Sequence, residues 1–223
     1  MRDPQAAASL AERLGLMIIT RPDPRGGSIR DVVAECVEAG ATAIQLRDKN
    51  ASSRELYEVA TELCPVVRSG GALFIVNDRF DVALAAAADG AHLGPGDVPL
   101  GAVRAQVHPD FILGFSTDDP ATGLRAADEG ADYLGVGAVF GTISKAGLAD
   151  EAIGPARVAE VRSAVSLPVV GVGGITVENA ASLARLGVGI AVLGAVMNSS
   201  RPAEAVRELK RAMDEEVPSG LEP

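Results

Sequence analysis

Residues 74–99 read FIVNDRFDVALAAAADGAHLGPGDVP. Phe74 to Asn77 ends a short apolar run, residues 79–87 have the length and spacing of a helix, and Gly90 to Leu93 opens a second apolar run. The stretch is therefore a strand, a short helix and a strand. The phrase that restarts the second strand recurs: EAGATAIQLR at 38–47, AADGAHLG at 87–94, DEGADYLGVG at 128–137 and RLGVGIAVLG at 185–194 each finish a helix in Ala or Gly and begin a strand. Apolar strands alternating with helices describe a parallel sheet covered on both faces. Eight such units allow the sheet to close, so the expected fold is an α/β TIM (β/α)8 barrel in a single domain; an open doubly wound sheet is the alternative.

Working outward, the strands fall near residues 15–20, 43–47, 73–77, 90–93, 112–116, 133–138, 168–172 and 190–194. Helices are expected at 28–39, 52–68, 79–87, 98–106, 119–129, 155–165, 177–186 and 202–214. Ser52, Asp119 and Thr176 stand at N-cap positions, and Gly40, Gly70, Gly130 and Gly187 follow helices. Residues 1–13 read as an N-terminal helix or arm, 14–215 as the barrel and 216–223 as a disordered polar tail.

A chain of 223 residues that is 48% apolar has enough hydrophobic surface for one large core. Its net charge of -10 argues against a nucleic-acid partner, and 3% aromatic residues with no Trp leaves no stacking platform for single strands. Apolar segments are interrupted before membrane-spanning length and Met1 to Arg13 lacks a signal-peptide pattern, so the expectation is a soluble, cytoplasmic protein with no membrane partner. Cys36 and Cys64 sit inside predicted helices at no metal-ligand spacing and read as buried small hydrophobes.

The candidate chemistry lies where strands end, the face on which barrels of this kind carry their sites. Asp78 and Asp97 each follow an apolar run, which places both carboxylates at the mouth, close enough to share one divalent cation; the bland reading is a pair of solvated loop acids. With Asn77 they are hard oxygen donors suited to Mg2+, which takes one or two carboxylates and leaves its other positions to water and phosphate oxygens. After the second strand come Gln45, Arg47 and Lys49. A guanidinium fork and an ammonium on one side suit a phosphate or diphosphate, the competing reading being salt bridges to Asp48, Asp23 or Glu55. Ser116 closes the fifth strand with a hydroxyl that either faces the centre or serves a turn.

The segment VGAVFGTISKAGL after the sixth strand is rich in Gly and hydroxyls and could close over phosphate, with Lys145 completing the charge balance. Gly173 and Gly174 after the seventh strand let backbone amides approach an anion, Thr176 begins a helix whose dipole favours negative charge, and Leu193 and Gly194 after the eighth offer further amides. His92 within the fourth strand reads as hydrogen-bonded packing and His108 as surface. No Ser-His-Asp set or histidine-rich metal cluster is evident.

The stretches QLRDKN, VNDRFDVALAAAADGAHLGPGDVP, GFST, GADYLGVGAVFGTISK, VVGVGGIT and AVLGA together resemble the thiamine-phosphate synthase family over about residues 14–210. That resemblance implies an enzyme that joins 4-amino-2-methyl-5-(diphosphooxymethyl)pyrimidine to 4-methyl-5-(2-phosphooxyethyl)thiazole with release of diphosphate. It implies that Gln45, Arg47, Lys49, Asn77, Ser116 and Lys145 bind the pyrimidine diphosphate, with Lys145, Arg47 and Ser116 catalytic. By the same resemblance Asp78 and Asp97 hold Mg2+, and Thr142, Ser144, Gly173, Gly174, Leu193 and Gly194 bind the thiazole phosphate. The sequence departs from the family pattern in three places: TISK stands for TPTK, Gly194 for a common Ser, and Asp118 for a common His after GFST. A thiazole tautomerase and a non-catalytic thiazole-phosphate binder are the competing readings. A homo-oligomer is compatible with all of them.

Overall fold

The computed structural model describes residues 4–141 and 152–215. Eight parallel strands close a barrel in chain order: β1 (Leu16–Ile19), β2 (Ala43–Leu46), β3 (Leu73–Asn77), β4 (Gly90–Leu93), β5 (Ile112–Ser116), β6 (Tyr133–Val136), β7 (Val169–Val172) and β8 (Gly189–Val192). Pairing of β1 with β8, Leu16 opposite Ile190 and Ile18 opposite Val192, completes the closure and excludes the open sheet. The expected strands are all present, each within two or three residues of its anticipated ends.

A first helix α1 (Pro4–Arg13) precedes β1. The helices α2 (Ile29–Glu38), α3 (Ser53–Ser69), α4 (Phe80–Ala85), α5 (Leu100–Arg104), α6 (Pro120–Asp128), α7 (Gly154–Ala164) and α8 (Val177–Ala184) alternate with the strands, and α9 (Gly194–Met197) and α10 (Pro202–Asp214) follow β8. Ser52 and Glu55 form a reciprocal capping box at the start of α3, and the Asp119 side chain accepts from Thr122 N at the start of α6. One feature departs from the sequence reading. The four-residue α9 is too short to show a periodic pattern. Gly70 caps the end of α3 as expected, with φ -90 and the left-handed turn following at Gly71, φ +77; Val37 of α2 packs directly against Gly70 where a Cβ would stand.

Strand alternation divides the core in two. One set of side chains, including Ile18, Ile44, Leu46, Phe74, Val76, Leu113 and Leu134, packs outward under the helices. The other, Met17, Ile19, Ala43, Leu73, Ile75, Ile112, Tyr133, Val170 and Ala191, fills the barrel. Counting in twos along the inward set leads from Ala43 to Gln45 and Arg47, from Leu73 to Ile75 and Asn77, from Ile112 to Gly114 and Ser116, and from Tyr133 to Gly135. The polar groups therefore enter the barrel in its upper layers by register. Cys36 and Cys64 are buried free thiols, and burial pushes Cys36 up to about 12, which keeps it protonated and inert. No helix among the described residues is long and apolar enough to cross a membrane.

Candidate active site

The first part of the site is built on the ends of β2, β3 and β4. Thr20, fully buried after β1, donates its backbone N–H to Gln45 O at 2.9 Å and accepts from Arg47 N at 3.1 Å, which fixes the backbone that carries Arg47. Two of the three anticipated competitors for the cations are occupied elsewhere: Asp48 accepts from Asn50 N and Ala51 N, and Glu55 accepts from Ser52 N. Lys49 Nζ instead lies 3.8 Å from Asp78 Oδ2. Arg79, next in sequence, turns away to Asp81 with contacts of 2.8 and 2.6 Å.

Asp78 adopts φ +63, a left-handed conformation that Asp tolerates better than most residues, and its N–H donates to His92 O at 2.8 Å. This kink takes the chain off β3 just after Asn77 and leaves the carboxylate at the rim. Asp97 is anchored by Gly94 N, which donates to its Oδ2 at 2.6 Å. Burial raises the Asp78 pKa, the Asp97 charge raises it further, and Lys49 and Arg47 pull it back only in part. Two carboxylates thus converge close enough to repel one another, beside two cations. A divalent cation relieves that repulsion, and the hard oxygen donors suit Mg2+. No group of three or more His, Cys, Asp or Glu side chains among the described residues forms a protein-only metal cage. A two-carboxylate set is the arrangement that leaves room for water and substrate phosphate.

The second part is a cavity of about 280 Å³ at the same mouth, lined by Arg47 and Ser116 on one side and by Gly173, Gly174, Thr176, Leu193 and Gly194 on the other. That volume suits a small organic molecule rather than a polymer. Gly173 and Gly174 have φ +101 and +65, and a Cβ on Gly174 would stand 2.6 Å from Phe140 O and 2.7 Å from Gly141 O. Only glycine allows this turn to lie against the β6 loop at the cavity wall. Asn179 Oδ1 accepts from Thr176 N at 2.9 Å, which holds the start of α8 in place, and Leu193 immediately precedes α9.

A third group was not anticipated. Ser116 Oγ is 2.8 Å from His92 Nε2, and His92 Nδ1 is 2.9 Å from the Tyr133 hydroxyl. Gln45, buried in the barrel beneath Arg47, points its Nε2 at Met17 Sδ, 3.4 Å away. The sequence reading left His92 as packing, and the structure joins it to a residue of the cavity wall. The available signal was paired glycines: Gly114 and Gly135 face inward at the height of His92, where side chains would strike its ring.

The remaining anticipated groups Thr142, Ser144 and Lys145 lie outside the described residues. His108 is at the surface, 3.3 Å from Asp110 Oδ2.

Comparison with known proteins assigns the chain. Residues 16–196 match the family model described as thiamine monophosphate synthase. The chain belongs to this family. A thiamine-phosphate synthase from Natronomonas pharaonis is 41% identical over 213 residues, covering 94% of this chain and all of that protein. One from Roseiflexus castenholzii is 46% identical over 183 residues, covering 82% of this chain and 80% of its own length. The solved thiamine phosphate pyrophosphorylase from Pyrococcus furiosus superposes with a TM-score of 0.84 at 41% identity, over 93% of this chain and 99% of that one. The family resemblance seen in the sequence motifs and the barrel therefore agree, and the chain is an enzyme of the group-transferring kind that its relatives' names describe.

Proposed function

We propose that this chain condenses 4-amino-2-methyl-5-(diphosphooxymethyl)pyrimidine with 4-methyl-5-(2-phosphooxyethyl)thiazole to give thiamine phosphate and diphosphate. The observation that carries the reading is the juxtaposition of two anion-handling regions on one barrel mouth: Arg47, Lys49, Asp78 and Asp97 on β2 to β4, and the glycine cradle of β7 and β8. A binder of the thiazole phosphate alone would need the cradle but not the converging acids and cations.

In this reading Arg47, Lys49 and Asn77 hold the diphosphate, with Ser116 donating a hydroxyl and Lys145, which follows β6 in the sequence, completing the charge balance. Asp78 and Asp97 hold Mg2+, which when bound neutralises phosphate oxygens and favours diphosphate departure. The C–O bond between the pyrimidine methylene and the diphosphate breaks, and its electron pair leaves with the diphosphate. The thiazole nitrogen then donates its lone pair to the methylene cation, so no protein base has to remove a proton for the new C–N bond to form. The chain's own residues bind, align and exclude water around this substitution. Gly173, Gly174, Leu193 and Gly194 present amides to the thiazole phosphate, with Thr142 and Ser144 adding hydroxyls, and Gln45 shapes the floor below the pyrimidine. Residues 14–215 act as the catalytic domain.

Ala138 lines the cavity after β6, where a tautomerase relative would need its histidine, so that competing reading lacks its acid-base group. The test is to supply both phosphorylated substrates with Mg2+ and measure thiamine phosphate by its fluorescent oxidation product. Formation that requires both substrates supports the reading, and absence of product in folded protein overturns it.

A further inference from the structure

The contact between Ser116 and His92 has the form of a nucleophile beside its base, yet the reaction proposed above needs Ser116 as a donor. Which of the two it is depends on where His92 carries its proton. If Nε2 is bare, it accepts the Ser116 proton and activates the oxygen. If Nε2 carries the proton, it donates to Ser116 Oγ, and the serine proton is free to point elsewhere.

The groups beneath decide between these. Burial holds the Tyr133 phenol in its neutral, protonated form. A buried hydroxyl needs an acceptor for its one proton, and His92 Nδ1 stands 2.9 Å from the Tyr133 oxygen, while the neighbouring Gln45 amide directs its Nε2 to Met17 Sδ. An imidazole that accepts at Nδ1 and is neutral carries its proton on Nε2, 2.8 Å from Ser116 Oγ. The donor direction therefore runs Tyr133, His92, Ser116, and ends at the cavity wall.

The fold makes room for this chain at a measurable sacrifice of packing. Gly114 of β5 and Gly135 of β6 both point inward: a Cβ on Gly114 would meet the Tyr133 ring and His92 Nδ1, and one on Gly135 would lie 2.8 Å from His92 Cε1. The rings of His92 and Tyr133 lie 5.3 Å apart at 39°. Two inward positions that could hold apolar side chains are empty so that an imidazole and a phenol can stack beneath one serine.

We infer that His92 and Tyr133 are positioning residues that hold Ser116 as a hydrogen-bond donor to the bound pyrimidine diphosphate substrate and deny it the activation that would make it a hydrolytic nucleophile. The inference rests on the reading of Ser116 as a substrate contact. It adds two residues and a direction of donation to that reading.

The chain has two histidines, so substitution His108→Gln leaves His92 as the single imidazole in a protein labelled with 15N-histidine. At neutral pH the ring nitrogens are expected to show a protonated Nε2 and an acceptor Nδ1, and Tyr133→Phe is expected to mix the two tautomers. In kinetics, Tyr133→Phe is expected to lower kcat about tenfold and to leave the thiazole KM unchanged. Ser116→Ala is expected to lower kcat about a hundredfold. Tyr133→Phe added to Ser116→Ala should then cost less than about twofold more, because the two act through one hydroxyl. A proton on Nδ1 with bare Nε2 in the otherwise wild-type protein overturns the inference, as do losses that multiply in the double variant. Should Tyr133→Phe fail to fold, the tautomer recorded without it still decides the matter. Absence of thiamine phosphate synthesis would refute the functional reading instead, and the tautomer spectrum separates the two failures because it requires no substrate.

Discussion

Gly174 and Gly187 form a matched pair for testing the phosphate cradle. Their φ values are +65 and +66, so replacing either with Ala imposes the same left-handed cost, about 1–2 kcal/mol. They differ in what the new methyl meets. At Gly187, in the turn between α8 and β8 at the far end of the barrel, there is nothing within 4 Å; at Gly174 the Cβ would lie 2.6 and 2.7 Å from two backbone oxygens that cannot rotate aside. Gly174→Ala must therefore displace either its own turn or residues 140–141, an overpacking cost of about 1–3 kcal/mol beyond the shared one. Moving the turn by that amount removes at least one amide from the anion, and a hydrogen bond to a charged group contributes about 1.5–3 kcal/mol. The expected result is a fall of about one to two decades in kcat/KM for the thiazole phosphate, with the KM of the pyrimidine diphosphate unchanged. Gly187→Ala should lower the thermal midpoint by about 2–8 °C and leave both kinetic constants in place. The assay is steady-state thiamine phosphate formation with each substrate varied in turn, beside thermal melts. If Gly174→Ala loses no more activity toward the thiazole than Gly187→Ala does, the cradle is not where the phosphate binds.

Three further variants test the rest of the account. Asp78→Asn should weaken activation by Mg2+ by at least about tenfold, measured by titrating the metal against turnover, while the barrel stays folded. Because burial and Asp97 raise the Asp78 pKa, the folded chain holds that proton more tightly than the unfolded one, so the ionised carboxylate costs stability at neutral pH. Denaturation of the metal-free proteins should accordingly find Asp78→Asn the more stable at neutral pH. That advantage should disappear as pH falls through the elevated native pKa toward the ordinary carboxylate range, and added Mg2+ should raise the melting temperature of the wild type alone. Lys145→Ala should lower turnover by about two to three decades, read in single-turnover kinetics with saturating substrates. Arg104→Met should remove about 3 kcal/mol of stability in urea denaturation without changing KM, because Arg104 Nη2 lies 2.6 Å from the nearly buried Asp132 and also donates to Gly130 O and Phe111 O, all below the strands and away from the mouth.

The barrel was legible because its signal is local. Runs such as Leu73–Asn77 and Ile112–Ser116 are apolar, short and bounded by Gly, Asp or Pro, and the helices between them carry caps at Ser52 and Asp119 that the structure contains. The rim acids were legible for the same reason, since Asp78 comes directly after one apolar run and Asp97 four residues after another. The pairing of Lys49 with Asp78 was not, because three nearer carboxylates competed on paper and only the loop geometry ties Asp48 to Asn50 N and Glu55 to Ser52 N. His92 was read as hydrogen-bonded packing, which the structure bears out, but its partners were not legible because they are non-local. Its partners are 24 and 41 residues away, and the register that brings Gly114 and Gly135 beside it depends on pairing β4 with β5 and β5 with β6. A histidine in a strand carries no mark of such partners. Two inward glycines on successive strands do, once the pleat has been counted.

The most direct test of the account is the ratio of diphosphate released to thiamine phosphate formed, followed in one reaction with Mg2+ and then repeated without the thiazole. A ratio of about one, with release abolished when the thiazole is left out, is what a mouth built to pass the pyrimidine methylene to a waiting nitrogen predicts. Continued release in the thiazole's absence would mean that water takes its place, and it would contradict the claim that the two anion sites act on one coupled substitution.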